Sequence, residues 1–557
     1  MNPPSATPGL RRATDRPKLV ARSTSGKSMT TIAVEPIRAA TADLEAGPAP
    51  TARVGPVDAP EADYAAIPLP LPVPDGRTTQ TISVIEQSRN EVHPTIRREE
   101  AGRFNPSMAR NALISCVIPC YNEQDSIADV LTALLAQTRM PDAIYVVVNN
   151  TDDDTIEIAE QFAGEHSRTV RGVEFHTVVE VHDLGVNPDK KVGALNYGYV
   201  LSRGRFDFIL GVDGDTTLDH QAVEWLEKEM VDDRRIGGLS AVYSIDKSRV
   251  TGATARFLVA GQRAQFAGFN MDNLLHGRNM AVLGGQCSLF SMAALEVVMV
   301  RNHQESPWVR DSEVEDSKLS LQIKDAGFST KISARARANV GAMTTLRSLH
   351  GQQVKWNYGG IDLLWPGQRG DTKGQPLHAN LRLRWWENIS MAFNISTRMG
   401  FALLLAAALS IHAFVFNPVW LIPPVVAIFL NLRIANAMRD KGPLDLLYAG
   451  LFLPAEAYMW IRMGHFLTAW AQFFGRVEKD NWAAQAAAER GRGKAYIMPA
   501  IFAVGVFGVL IFAWSQQNVD VKSEILSVGW PVLYIVTILQ TVFMLRKLVR
   551  RQRGFAV

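Results

Sequence analysis

The sequence predicts an α/β domain on a doubly wound sheet, preceded by a disordered arm and followed by an α-helical transmembrane region. Three observations predict it. Apolar strand-like runs alternate with segments of helical period through the middle of the chain. Residues 1–108 are rich in Pro, Ala and Thr and sustain no apolar period, as at 68–74, Pro-Leu-Pro-Leu-Pro-Val-Pro. Four nearly uncharged apolar runs crowd the C-terminal part.

Composition narrows the function classes. A chain of 557 residues is too long for one ordinary domain. A net charge of +3 implies no nucleic-acid partner. Cys116, Cys120 and Cys287 have no metal-ligand spacing and read as reduced thiols of a cytosolic domain. The N-terminal basic residues are scattered and no apolar h-region follows them, so no signal peptide is expected.

The soluble domain is expected over 109–380. Leu113 to Pro119 is a buried strand, and Asp125 to Gln137 a helix with apolar residues at helical spacing. Ile144 to Val148 is a second strand, and Thr151 to Gly164 a second helix behind an Asp/Thr-rich turn. A third strand (Val173 to Val181), a helix (Lys190 to Ser202) and a fourth strand (Phe206 to Val212) follow. Helix 219–231, strand 236–244, a long helix 253–276, a short strand with Gly284-Gly285 and a helix from Glu313 to Ala326 complete it. This alternation argues a mostly parallel sheet.

Beyond it, Leu381 to Ile395, with Arg382, Arg384, Trp385 and Trp386, suits an amphipathic interfacial helix (381–396). The transmembrane region is 397–557. Its apolar runs are Gly400 to Phe416, Val419 to Leu432, Ile497 to Trp514 and Val528 to Leu545, with Pro423-Pro424 kinking the second. Segment 444–474 holds Glu456, Arg462 and His465 and reads as interfacial or as a hairpin, the interfacial reading being favoured. Basic flanks (Arg382, Arg384, Arg398; Arg433, Arg439, Lys441; Arg490, Arg492, Lys494; Arg546, Lys547, Arg550, Arg551, Arg553) put the soluble domain on the cytoplasmic side of an inner or plasma membrane.

Strand ends are where open α/β sheets bind ligands. Three polar clusters fall there: Pro119-Cys120-Tyr121-Asn122-Glu123, Asn149-Asn150-Thr151-Asp152-Asp153, and Asp213-Gly214-Asp215. Two carboxylates one glycine apart repel unless a cation lies between them, and Mg²⁺ or Mn²⁺ suits such oxygen ligands. No glycine-rich phosphate loop is present, which weighs against dinucleotide oxidoreductases and P-loop NTPases. His276, His303 and His350 share no spacing and read as structural or surface residues.

With these motifs in order, residues 111–360 resemble the family 2 glycosyltransferases, and within them the membrane-embedded processive polysaccharide synthases. Pro119 to Glu123 is similar to the first nucleotide-binding motif, and Lys191-Val192-Gly193-Ala194-Leu195-Asn196 to Lys-x-Gly-Ala-Leu-Asn. Asp213-Gly214-Asp215 falls at the metal-binding Asp-x-Asp. Val314-Glu315-Asp316 is similar to Thr-Glu-Asp, and Gln352-Gln353-Val354-Lys355-Trp356 to Gln-x-x-Arg-Trp. The resemblance implies a GT-A-type doubly wound mixed sheet, a nucleotide-sugar donor, a glycan or lipid-linked acceptor, a lipid bilayer around the helices and Mg²⁺ or Mn²⁺ as cofactor; a membrane partner subunit is left open. It implies Asp316, beside Glu315, as catalytic base and Asp213 and Asp215 as metal ligands. It gives Pro119, Tyr121, Asn122, Glu123, Asn149, Asn150, Asp153, Lys191 and Asp213 to the donor, and Gln352, Lys355 and Trp356 to the acceptor and pyrophosphate. Two departures stand out: Asn149-Asn150 where an acidic residue is common, and Lys355 where the motif has Arg, a point charge in place of a fork. Transfer of a single sugar to a polyprenyl phosphate and a catalytically silent scaffold are the alternatives.

Overall fold

The computed structural model describes residues 112–310, 314–364, 382–475 and 497–557, with 484–485, 487–488 and 491. The arm at 1–108, the close of the soluble domain near 380 and the flank Arg490, Arg492 and Lys494 lie outside the described residues.

The first half of the soluble domain runs β1 (Ile114–Cys120), α1 (Ile127–Leu135), β2 (Ala143–Val148), α2 (Thr155–Glu160), β3 (Gly164–Val170), β4 (Val173–Asp183), α3 (Lys190–Ser202) and β5 (Phe208–Val212). Every residue of β1 and β2 is buried, as befits inner parallel strands covered on both faces. On α1, Ile127, Val130, Leu131 and Leu134 form the one apolar stripe that meets the sheet. The second half runs β6 (Thr217–Leu218), α4 (Ala222–Asp232), β7 (Ile236–Ile245), α5 (Ala253–Leu275), β8 (Cys287–Ser291), α6 (Met292–Asn302), α7 (Glu315–Asp325), β9 (Ser329–Val340) and α8 (Leu346–Leu364).

One nine-stranded sheet has the order β3-β4-β2-β1-β5-β8-β7-β9-β6. Strand directions correct the mostly parallel expectation. Four pairings are parallel and four antiparallel, because β8 runs against both β5 and β7 and antiparallel partners close the two edges, β3 on β4 and β6 on β9. Successive β1 residues feed opposite cores. Cys116 and Ile118 pack with Leu131 and Leu226 on one face, and Val117 packs with Leu195 and Trp308 on the other. The helix expected from Thr151 to Gly164 is shorter, since Gly164 opens the edge strand β3. Gly284-Gly285 precedes β8 instead of lying within it.

The C-terminal part comprises α9 (Arg382–Ser410), a 3-10 turn (Pro418–Leu421), α10 (Ile422–Ala437), α11 (Pro443–Gly450), α12 (Phe452–Phe474), α13 (Ile497–Ser515) and α14 (Val519–Val549). Three stretches among the described residues are long and apolar enough to cross a membrane: Arg384–Ser410, Pro418–Ala437 and Val519–Val549. Within α13 the apolar stretch is the shorter Val504–Ser515. Two expectations are corrected. The interfacial helix 381–396 and the first apolar run are one continuous helix, α9, with nothing between them that breaks a helix. Pro423-Pro424 does not kink α10 but starts it, at positions where the missing N–H groups cost nothing. Segment 444–474 forms α11 and α12, and α12 packs Ala469 and Phe473 against Val354, Tyr358 and Ile361 of α8.

A buried ion cluster fastens the soluble domain to these helices. The Arg263 guanidinium of α5, 2% exposed, donates to Asp445 at 2.8 Å and to Asp440 at 2.9 Å in and beside α11. Removing one partner of a buried pair strands the other charge. Arg263→Ala should therefore lower unfolding stability by about 3 kcal/mol, read as a fall in the melting temperature of the detergent-solubilised chain. An unchanged melting temperature would show that Asp440 and Asp445 find solvent instead.

Candidate active site

The strand order β2-β1-β5 sets three polar strand ends side by side. At the end of β1, Asn122 takes a left-handed conformation (φ 55°), which Asn tolerates better than most residues. Its side chain donates to Asp152 Oδ1 (2.6 Å) and accepts from the Asp152 N–H (3.0 Å). The Glu123 N–H donates to Thr155 Oγ1 (2.8 Å), and the Gln124 N–H to Asp153 Oδ2 (3.3 Å). These bonds lock the two turns into one wall. Pro119, Tyr121 and Glu123 line the cavity above it.

Asn149 and Asn150 are also struts. The buried Asn149 amide donates to the Cys120 carbonyl (3.1 Å) and accepts from Asn150 Nδ2 (3.0 Å). Asn150, at φ 54°, bonds both backbone groups of Asn187. Both residues face the cavity, so their commitment explains why amides stand here: each must donate and accept at once.

The carboxylates converge across the crevice. Asp213 follows β5 directly, and Asp213 Oδ1 lies 2.6 Å from Lys191 Nζ, in the first turn of α3. The same ammonium is 4.0 Å from Glu315 Oε1. Asp316, next on α7, accepts from the Gly285 N–H at 2.8 Å. A Cβ on Gly285 would sit 2.5 Å from Lys191 Nζ and 3.1 Å from Asp316 Oδ2, so only glycine leaves room for both. Asp215 faces Gly341 after β9, where a Cβ would come within 2.4 Å of its Oδ2.

Burial sets the protonation of this cluster. Burial first, then the neighbouring Glu315, push the Asp316 carboxyl up to about 8, against the opposing pull of Lys191. Burial works to lower the Lys191 pKa, but the charges of Asp213, Asp316 and Glu315 outweigh it and hold it above the ordinary lysine value.

The Lys-x-Gly-Ala-Leu-Asn segment acquires a second role. Asn196 donates to the Trp308 carbonyl (2.8 Å) and accepts from the Trp308 N–H (3.2 Å), pinning the chain that leads to α7. Gln352, Lys355 and Trp356 line the cavity from α8, and Trp356 meets Phe266 of α5 edge-on at 6.1 Å. Lys355 is buried. The histidines are placed apart from the carboxylates: His303 ends α6, His350 faces His465 at 5.2 Å, and His276 borders the cavity beside Arg550. Residues that sequence reasoning missed are Gly285, Gly341, Trp308 and Arg384, whose guanidinium reaches Ser317 Oγ at 3.1 Å. The Gly284-Gly285 pair was the one available signal.

The cavity measures about 3080 Å³ and continues from the strand ends to α9, α12 and α14. Among the described residues no group of three or more His, Cys, Asp or Glu could hold a metal. The pair Asp213 and Asp215 still fits a hard divalent cation of the Mg²⁺ kind. Such ions take one or two protein carboxylates and fill the remaining positions with water and substrate phosphates.

Residues 111–359 match the family described as "Glycosyltransferase like family 2". A poly-beta-1,6-N-acetyl-D-glucosamine synthase of Staphylococcus epidermidis is 24% identical over 258 residues, 45% of this chain and 57% of that protein. One of Staphylococcus aureus is 24% identical over 252 residues, 45% of this chain and 55% of that protein. The chain thus spans about half the length of the curated relatives it matches. Among solved structures, a mannosyltransferase from Pyrobaculum calidifontis in complex with GDP-Man and Mn²⁺ is 15% identical, with TM-score 0.39, over 70% of this chain and 96% of that one. S. aureus TarS 1–349 in complex with UDP is 14% identical, with TM-score 0.30, over 66% and 92%. Over residues 111–359 the chain is thus similar to the glycosyltransferase-like family 2.

Proposed function

We propose that the chain is a membrane-bound inverting glycosyltransferase that moves a sugar from a nucleotide-diphosphate sugar, a UDP-sugar in the first instance, to a growing glycan. The observation that carries this reading is Asp316, held beside Lys191 and Asp213 in a cavity that reaches the apolar helices. The acceptor hydroxyl gives its proton to the Asp316 carboxylate as its oxygen attacks the anomeric carbon. The bond from that carbon to the diphosphate breaks in the same displacement, and the nucleoside diphosphate leaves with the electron pair. A single in-line displacement inverts the anomeric carbon. Asp213 and Asp215 would hold the divalent cation, which when bound offsets charge on the leaving diphosphate. Lys191 and Lys355 add positive charge to that side, and Trp356 offers an aromatic face to the acceptor.

The membrane arrangement is part of the proposal. Arg439, after α10, bonds Asp219 at 2.5 Å, and Lys547, at the end of α14, bonds Asp272 at 2.6 Å. These contacts support the soluble domain and the basic helix ends sharing one face, the cytoplasmic face by the positive-inside rule. The printed name of the curated relatives puts N-acetylglucosamine first among the donor sugars to test.

Asp316→Asn should lower transfer from labelled nucleotide-sugar in purified membranes by about 10²- to 10⁴-fold, and Asp215→Ala should abolish its dependence on Mn²⁺. Wild-type activity in both variants would remove these residues from the site. Product size on a gel tests the acceptor: polymer supports glycan extension, whereas a single-sugar lipid would replace it with transfer to a polyprenyl phosphate.

Protonation gives a further test. A base held near 8 in the donor-free protein must lose its proton to work, so kcat/KM should rise with pH along a limb far above the usual carboxylate range, toward about 8. Stability runs the other way. A folded-state value raised above the unfolded one gives stability that is complete at low pH and lost as pH climbs through about 8. Asp316→Asn should flatten that loss in a pH series of melting temperatures. An acid limb near 4 would contradict the burial-driven shift.

A further inference from the structure

We propose that Lys191 is the resident counter-cation of the carboxylate cluster and holds one arm of the metal site until a nucleotide diphosphate draws it away, so that metal and nucleotide bind as a pair. This rests on reading Asp213 and Asp215 as metal ligands. Lys191 Nζ lies 2.6 Å from Asp213 Oδ1, one of the two oxygens that Asp213 could offer a divalent cation. It is 4.0 Å from Glu315 Oε1 and shares with Asp316 the space that Gly285 leaves open. One ammonium therefore serves carboxylates from β5 and from α7 together.

A divalent cation and this ammonium compete for the charge of Asp213. Mg²⁺ binds oxygen at about 2.0–2.1 Å, so a cation on the oxygen that the ammonium now holds would face it at contact distance. Lys191 has donors only and no acceptor, so it cannot turn into a ligand. A cation that takes Oδ1 displaces it. Displacement by metal alone leaves Glu315 short of its compensating charge and gives Lys191 no new partner. A diphosphate resolves both difficulties: its oxygens complete the cation's shell and receive the ammonium. The lysine stem allows this without moving the backbone. Its four carbons rotate freely, while one turn on Asn196 keeps α3 fixed to Trp308. A rigid arginine fork would not make this exchange as readily.

The test is Mn²⁺ titration of the purified full chain in detergent, followed by the electron paramagnetic resonance signal of free Mn²⁺, with and without UDP or GDP. Wild type should bind Mn²⁺ alone weakly and at least about tenfold more tightly with one of the nucleotides. Lys191→Met, which keeps the stem and removes the charge, should bind Mn²⁺ alone about tenfold more tightly than wild type. Lys191→Arg, which keeps the charge, should restore the weak binding. The proposal falls if wild type binds Mn²⁺ as tightly alone as with nucleotide, an arm that needs no variant to fold, or if Lys191→Met gains nothing. Failure of the underlying metal reading looks different: no saturable Mn²⁺ binding in any form, or binding that Asp215→Ala leaves intact.

Discussion

Four carboxylates, Asp213, Asp215, Glu315 and Asp316, open onto one cavity, and like charges at such range repel unless positive charge is brought between them. Much of the surrounding structure answers that repulsion. Lys191 supplies an ammonium, Gly285 supplies an N–H, and burial keeps Asp316 protonated until the pH climbs toward 8. The arrangement is rigid because its supports are bonded elsewhere. Asn196 clamps Trp308, Ser320 accepts from the Leu283 N–H and donates to the Asp316 carbonyl, and the Asn122–Asp152 pair joins two strand ends. A site under this tension has a use for a cation and for a proton acceptor, the two roles that transfer from a diphosphate requires.

The same economy of charge joins the domain to the apolar helices. Arg263 reaches from α5 to Asp440 and Asp445, and Arg439 and Lys547 reach back to Asp219 and Asp272. The final residues bridge the two: the Val557 N–H donates to the Ala437 carbonyl at the end of α10, and the Ala556 carbonyl accepts from Arg337 of β9 at 2.8 Å. Basic residues at the ends of the apolar helices thus act here as fasteners to the α/β domain. Inside the cavity, Arg398 of α9 pairs with Glu456 of α12, so two charges near the apolar helices neutralise each other.

Legibility followed the origin of each signal. Strand ends and carboxylates were readable because apolar runs stopping on Asp or Asn mark them locally; α3 begins and ends where its residues predicted. β3 was not readable: Gly-Glu-His-Ser-Arg-Thr-Val has no apolar face because an edge strand needs none. β9 hid for a related reason, its small and charged residues being paired by a partner distant in sequence. Strand direction was out of reach, since a short apolar run is the same in either sense. In the site, Gly285 and Gly341 were invisible as functional residues because what they contribute is the absence of a side chain. Asn149 and Asn150 were legible as polar and misjudged in emphasis, for their bonds run to Cys120 and Asn187, which only the fold brings near.

One helix ties these observations together. α5 carries Arg263, bonded to the α10–α11 seam, and Phe266 one turn on, whose ring meets Trp356. Between them Gln265 donates to Gln353 Oε1 at 3.2 Å and accepts from the Tyr458 hydroxyl of α12 at 3.1 Å. The wall that would hold the acceptor is therefore built on the helix that anchors the soluble domain to the membrane part, and α12 braces both α5 and α8. Positions in such a wall cannot be set by the sheet alone. The carboxylates proposed to act on the donor ride on strand ends and on α7, whereas Trp356 and Lys355 ride on elements pinned to α12. The two halves of the proposed reaction are thus referenced to two different supports, and α5, packed on both cores of the sheet and bonded to the seam, keeps them in register.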